Sequence, residues 1–190
     1  KSYVNNGDNH IYTYSCCGLE APEDHDYTAT GICICGKIDP DAQATLSKDG
    51  KLVLVGTLDA VISKARECTA ADKAVVQLLQ DVSMGKENLY IWAGVFTLDL
   101  NGKTLSSTAE DIGAVNVSGS NTDVTIRNGT ISGGNNAVSP YNGGKVTLEN
   151  VTLTGAFGIS SYENSEVILR GSVVNGSTYG LLLHSGTVQV

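Results

Sequence analysis

The feature that most limits how this chain can fold is a periodicity in its second half. Valine-led runs begin at Val124 (Val-Thr-Ile-Arg-Asn), Val146 (Val-Thr-Leu-Glu-Asn), Val167 (Val-Ile-Leu-Arg-Gly) and Val188 (Val-Gln-Val), at intervals of 22, 21 and 21 residues. A second series starts at Ala114, Ala137, Gly158 and Gly180, 23, 21 and 22 residues apart. A third runs through Ile131, Leu153 and Val174, each seven residues after its leading valine. Three short strands per roughly 22-residue repeat, all in step, predict a solenoid over residues 75–190. The expected apolar columns are Val115/Val138/Ile159/Leu181, Val124/Val146/Val167/Val188 and Ile126/Leu148/Leu169/Val190. Arg127, Glu149 and Arg170 fall in one outward column as plus, minus, plus, which relieves repulsion between neighbouring strands. Asn128 and Asn150 share a turn, where asparagine tolerates left-handed backbone and can bond the asparagine of the next coil. An antiparallel sandwich built from the same strands is the alternative.

Residues 39–74 read as a hairpin followed by a helix. Ser47-Lys-Asp-Gly-Lys51 is an Asp-Gly turn between two alternating runs. Thr57 is a suitable N-cap, and Leu58, Val61, Ile62 and Ala65 recur on one helical face. The helix over 57–67 is expected to cap the first coil, with Cys68 a small buried residue.

The first 38 residues have a different texture. They hold four of the five cysteines and two of the three histidines. A short echo runs through them: His10-Ile-Tyr-Thr with Cys16-Cys17-Gly18, then His25-Asp-Tyr-Thr with Cys33-Ile-Cys35-Gly36. A cysteine pair followed by glycine is how a zinc knuckle turns around its metal. So few apolar residues cannot hold the segment by burial alone, so a staple is expected. Either four of His10, Cys16, Cys17, His25, Cys33 and Cys35 hold a structural zinc ion, or Cys16 or Cys17 forms disulfides with Cys33 or Cys35.

Composition narrows the partners. The net charge is −8 with only 12 lysines and arginines, so no basic stripe is expected to meet nucleic acid. No run approaches the ~18 apolar residues of a membrane span. The chain opens on Lys1, which reads as a processed chain or an excised piece. It also stops within a strand at Val188-Gln-Val190, so self-association through an uncapped last coil is one expectation.

Leu98-Asp-Leu-Asn-Gly-Lys-Thr-Leu105 followed by Val124-Thr-Ile-Arg-Asn-Gly-Thr-Ile131 resembles right-handed parallel β-helix proteins of the pectin-lyase-like class. The resemblance covers residues 57–190 and implies an all-β, right-handed parallel β-helix with an N-terminal capping helix. The Cys/His head looks like small metal-binding inserts in surface proteins of Gram-positive bacteria, which implies an extracellular or cell-surface location. This fold hosts lyases, hydrolases, adhesins and tailspikes alike, so activity has to be argued from the site.

Flat side chains suggest one surface. Tyr141 and Tyr162 each lie five residues before a leading valine, His184 lies four before Val188, and Trp92 precedes Phe96 by four. A column of Trp92, Tyr141, Tyr162 and His184 could cover a corner for stability or form a platform for a glycan, with Asn142, Asn164 and Ser185 bonding hydroxyls. No nucleophile or acid–base pair accompanies it in the sequence. Asp123 and Glu166 share a corner with Lys145 between them, which reads as charge compensation. The expectation is a non-catalytic adhesion or carbohydrate-contact module. A polysaccharide lyase or glycoside hydrolase, and a subunit of a stacked assembly, are the alternatives.

Overall fold

A computed structural model describes residues 2–13, 20–27 and 30–190. The head carries β1 (Ser2–Asn5), β2 (Asn9–Thr13) and β3 (Glu20–Asp24), an antiparallel sheet in the order β1-β2-β3. Beyond it, an antiparallel bridge pairs Ile32 with Ile38 and closes a small loop around Cys33 and Cys35.

The Asp-Gly hairpin forms as β4 (Ala44–Lys48) and β5 (Lys51–Gly56), with Asp49 at φ 47° and Gly50 at φ 73° supplying its left-handed turn. The helix α1 (Leu58–Ala65) follows, and Thr57 caps it by accepting the Ala60 N–H at 3.3 Å. Its buried face is Leu58, Val61, Ile62 and Ala65, the stripe that the i, i+3, i+4, i+7 spacing requires. β4 pairs antiparallel with β6 (Ala74–Leu78), the first strand of the solenoid. The hairpin thus extends one sheet face while α1 packs against it and covers the end of the core.

From β6 onward the chain coils about five times. The first coil is β6, β7 (Val82–Ser83) and β8 (Leu89–Ile91). The second is β9 (Gly94–Asp99), β10 (Thr104–Ser107) and β11 (Gly113–Ser118). In the third, β12 (Thr122–Gly133) turns a corner without breaking and β13 (Asn136–Tyr141) completes the coil. β14 (Lys145–Ser161) supplies a whole coil as one strand, with a register shift between Gly155 and Phe157. β15 (Glu166–Arg170) and β16 (Val173–Leu183) form the fifth, and β17 (Thr187–Gln189) begins another. Every pairing between coils is parallel, and Val124 stands opposite Val146, so the antiparallel sandwich is excluded.

The columns follow from that register. Ala74, Phe96, Val124, Val146, Val167 and Val188 stack in line, as do Val76, Leu98, Ile126, Leu148 and Leu169. On the second face Val82, Leu105, Ile131, Leu153 and Val174 stack, and on the third Leu89, Val115, Val138, Ile159 and Leu181. Ile126, Ile131, Leu148, Leu153 and Ile159 are fully buried; each such side chain contributes about 1.5–3 kcal/mol by leaving water. Burial declines at the last coil, where Val173, Leu181 and Leu183 are exposed.

Two expectations, for Val190 and for the asparagine turn, are corrected in detail, and the expected charge column Arg127, Glu149, Arg170 forms. Val190 lies past β17 and is fully exposed, so it does not close the column of Ile126. Arg127 stands opposite Glu149 but bonds the other way, with its Nε donating to Asp99 Oδ2 at 2.9 Å. Asp99, itself opposite Gln77, precedes Arg127 in the outward column, whose charges therefore alternate Asp99, Arg127, Glu149, Arg170, and Arg170 reaches Glu149 at 2.7 Å. Asn128 and Asn150 do adopt left-handed backbone, at φ 59° and 54°. Yet the Asn128 amide donates to Asp99 Oδ1 at 3.3 Å rather than to the next asparagine, and the next coil places Gly171 at that corner. Asp123, Lys145 and Glu166 stack as expected, with Lys145 paired to Glu166 at 3.3 Å.

Candidate functional site

The head gathers four donor side chains. The ligand atoms of His10, His25, Cys33 and Cys35 all lie within 4.8 Å of one another. The β2 strand presents His10, and His25 follows the end of β3. Cys33 and Cys35 sit on the small loop, where the Gly36 N–H donates to Cys33 O at 2.7 Å and Gly36 adopts φ 88°. That is the glycine-released turn that the Cys-Ile-Cys-Gly spacing predicts. Cys16 and Cys17, the other two candidates, lie outside the described residues. Cys33 and Cys35 are free thiols.

The pairs are arranged symmetrically. Cys33 Sγ is 3.3 Å from His10 Nδ1, and Cys35 Sγ is 3.4 Å from His25 Nδ1. The far nitrogens are engaged elsewhere: His10 Nε2 meets Glu23 Oε2 at 3.3 Å, and His25 Nε2 meets the Gly7 carbonyl at 3.1 Å. The partners at Nε2 orient both rings so that Nδ1 faces the sulfurs, which is how outer-shell partners prepare a metal-binding histidine. Tetrahedral metal–sulfur and metal–nitrogen bonds of the zinc type imply a sulfur–nitrogen edge of about 3.6 Å. The observed edges are close to that value. Burial pushes the Cys33 thiol up, but hydrogen bonds from the Cys35 backbone, the His25 side chain and the Asp26 backbone outweigh it and bring it down to about 6. The thiolate is the form that binds metal. These four residues can hold a metal ion.

A backbone bond ties this head to the solenoid. Val55 in β5 donates its N–H to Thr30 O at 2.9 Å. A Cβ on Gly31 would stand 2.3 Å from Val55 O, so only glycine allows the approach.

The second site lies on the third face. Strand register puts Ser118 opposite Tyr141, and continuing it places Tyr162 and His184 in the same column. Trp92 belongs to that column too, one residue after Ile91, which pairs with Val117. The rings do not form one continuous ladder. Tyr141 stacks on Tyr90, centroids 6.3 Å apart and planes 1° apart, and Tyr162 stacks on His184 at 4.3 Å. Trp92 is held instead by the Arg66 guanidinium 5.4 Å above its ring, and its neighbour in the column is a serine, Ser118. Tyr90 was not a candidate from the sequence, because it belongs to the column of Asn116 and reaches Tyr141 only by leaning across.

One ring of each stacked pair, Tyr141 and Tyr162, lines a cleft of about 350 Å³. Its buried floor is Asn116, Asn136 and Ser139, and its exposed rim carries Asp111 and Glu163. Asn136 donates to Ser139 Oγ at 2.9 Å and accepts from Ser160 Oγ at 3.1 Å, which fixes the floor. Burial pushes the Tyr141 phenol up to about 12, with Tyr90 and the Glu163 carboxylate adding to it. It therefore remains a neutral hydroxyl. Asn142 and Asn164 occupy corner turns at φ 52° and 58° beside this cleft, and Ser185 Oγ accepts the Asn164 N–H at 3.4 Å. The polar partners of the rings are the floor residues instead. Asn116, Ser139 and Ser160 recur at 23 and 21 residues, a polar column inside an otherwise apolar face that the repeat itself marks.

No family model matches the chain, and no curated protein and no solved structure shows significant similarity to it. No helix among the described residues is long and apolar enough to cross a membrane. Fold and sites together define a parallel β-solenoid that carries a potential metal cluster of two cysteines and two histidines at its N-terminal end.

Proposed function

We propose that this chain is a non-catalytic contact module of the cell surface or extracellular space, binding carbohydrate on the third face of its solenoid and carrying a structural zinc ion in its head. The cleft between Tyr141 and Tyr162 carries the reading. Two rings in adjacent coils flank a buried amide and hydroxyl floor, the combination that packs sugar C–H faces while orienting hydroxyls. The coils are bonded edge to edge over the whole ladder, so the cleft is preorganised and binding would cost little ordering entropy.

Zinc is favoured for the head by donor chemistry. Two thiolates and two imidazoles suit zinc better than calcium or magnesium, which take oxygen ligands. Four protein ligands close the shell, which gives a structural rather than a catalytic ion.

A glycan array probed with the full chain and with the Tyr141→Ala/Tyr162→Ala variant tests the reading. Binding by the parent that is lost in the variant supports it. No binding by the parent, or equal binding by the variant, refutes it. Release of reducing or unsaturated sugar from a polysaccharide would replace it with an enzymatic one.

A further inference from the structure

We infer that the cleft between Tyr141 and Tyr162 is built for a sugar bearing a protonated amine, a 2-amino hexose unit, rather than for an acidic uronate. The inference rests on the carbohydrate-contact reading and deepens it. Every charged side chain lining the cleft is a carboxylate, Asp111 or Glu163. The chain as a whole carries a net charge of −8. A uronate polymer would bring like charge to that rim, a mismatch that suppresses association, whereas an ammonium group is drawn to it.

The floor adds an independent observation. Asn116, 8% exposed, donates its amide to Asn88 Oδ1 at 3.1 Å and to Gly113 O at 2.7 Å, and its own Oδ1 has no hydrogen bond. Ser139, 5% exposed, accepts from Asn136 through Oγ. A Cβ on Gly113 would stand 2.6 Å from Ser139 Oγ and 3.3 Å from Asn116 Oδ1. A side chain at 113 would therefore press on both oxygens, and glycine there leaves them uncovered at the floor of the cleft. Asn116 Oδ1 is thus an acceptor open to a donor from a ligand in the cleft. The cleft presents acceptors at floor and rim, so its complement is rich in donors and positive.

Glu163 is also placed at a cost. Gly119, Asn142 and Glu163 each follow the ring column by one residue, and all have positive φ, at 96°, 52° and 50°. Glycine and asparagine accept that backbone readily, and glutamate does not. Lys145 borders the adjoining surface but is paired with Glu166 at 3.3 Å, so it does not neutralise the rim.

A basic peptide would satisfy the charge but would use neither ring wall in the way a flat pyranose does. The test is calorimetric titration of the zinc-supplemented full chain in mildly acidic, low-salt buffer. The probes are a glucosamine hexamer, its N-acetylated counterpart, an oligogalacturonate and an oligolysine. The expected result is roughly tenfold tighter binding of the glucosamine oligomer than of the N-acetylated one, the scale of a few rim charges. Asp111→Asn/Glu163→Gln should bring that ratio close to one and keep the melting temperature of the parent. Equal binding of the two oligomers, with both still lost in Tyr141→Ala/Tyr162→Ala, would overturn the inference and leave the carbohydrate reading standing. Preference for the galacturonate, oligolysine binding as tight as glucosamine, or a ratio unchanged in the rim variant would also overturn it. Failure of all three saccharides to bind would remove both.

Discussion

Cys33 Sγ lies 3.3 Å from Nδ1 of His10, across 23 residues of chain, while the other nitrogen of that ring faces Glu23 at 3.3 Å. The ring thus joins a carboxylate on β3 to a sulfur on the loop, and its orientation is set from both ends. Purified chain supplied with zinc should bind one ion per molecule, measured by elemental analysis. His10→Ala or Cys33→Ala should abolish tight binding. Glu23→Gln should weaken it by about tenfold, the scale of an outer-shell partner. Glu23 is half-exposed, so a loss at the lower end of that scale is expected. Unchanged affinity in Glu23→Gln would show that the ring needs no such orientation.

Acid should release the metal in a defined direction. The Cys33 thiol is brought down to about 6 from an ordinary 9.0, so thiolate prevails at neutral pH. Protons compete with metal for this ligand only as pH falls through that region. Zinc trapped by a chromogenic chelator should therefore stay bound at pH 7 and come off progressively below about 6. Release already under way at pH 8 would contradict the lowered thiol.

The charge column should be uneven in its contribution. Asp99 is only 7% exposed and accepts from Arg127 Nε, the Asn101 N–H and the Asn128 amide. Asp99→Ala leaves three donors short of an acceptor in a part-buried corner and should cost about 2–3 kcal/mol. Arg170 on Glu149 is largely solvated, so Arg170→Ala should change stability by less than about 1 kcal/mol. Urea unfolding of the two variants checks the contrast, and equal losses would refute it.

Position along the stack should decide the cost of core truncation. Leu148 is fully buried with Ile126 and Leu169 on either side, and Leu148→Ala should cost about 3 kcal/mol. Val188 has Val167 on one side and is only half-buried, so Val188→Ala should cost about 1 kcal/mol or less. The urea midpoint should fall accordingly with little change in slope. A larger loss at Val188 than at Leu148 would place the weight of the core in the last coil, against this ordering.

What the sequence determined by itself was the coil. A strand places alternate side chains on one face, and a repeat of 21 to 23 residues brings like residues into line, so Val124 over Val146 over Val167 follows from spacing alone. The hairpin at Asp49-Gly50, the cap at Thr57 and the buried stripe of α1 are equally local, because turn chemistry and helical periodicity act within a few residues. The gathering of His10, His25, Cys33 and Cys35 was visible as a set of donor types, but which of the six candidates meet depends on how β2 and the Cys33–Cys35 loop approach each other. Only the tertiary structure decided which partner each side chain chooses within its column. Arg127 turns to Asp99 instead of Glu149, and Tyr141 to Tyr90 instead of Tyr162. Both choices are between neighbours about one strand spacing or two away, at similar register and similar chemistry. Side-chain direction and the small residue at Ser118 settle them, and neither is periodic.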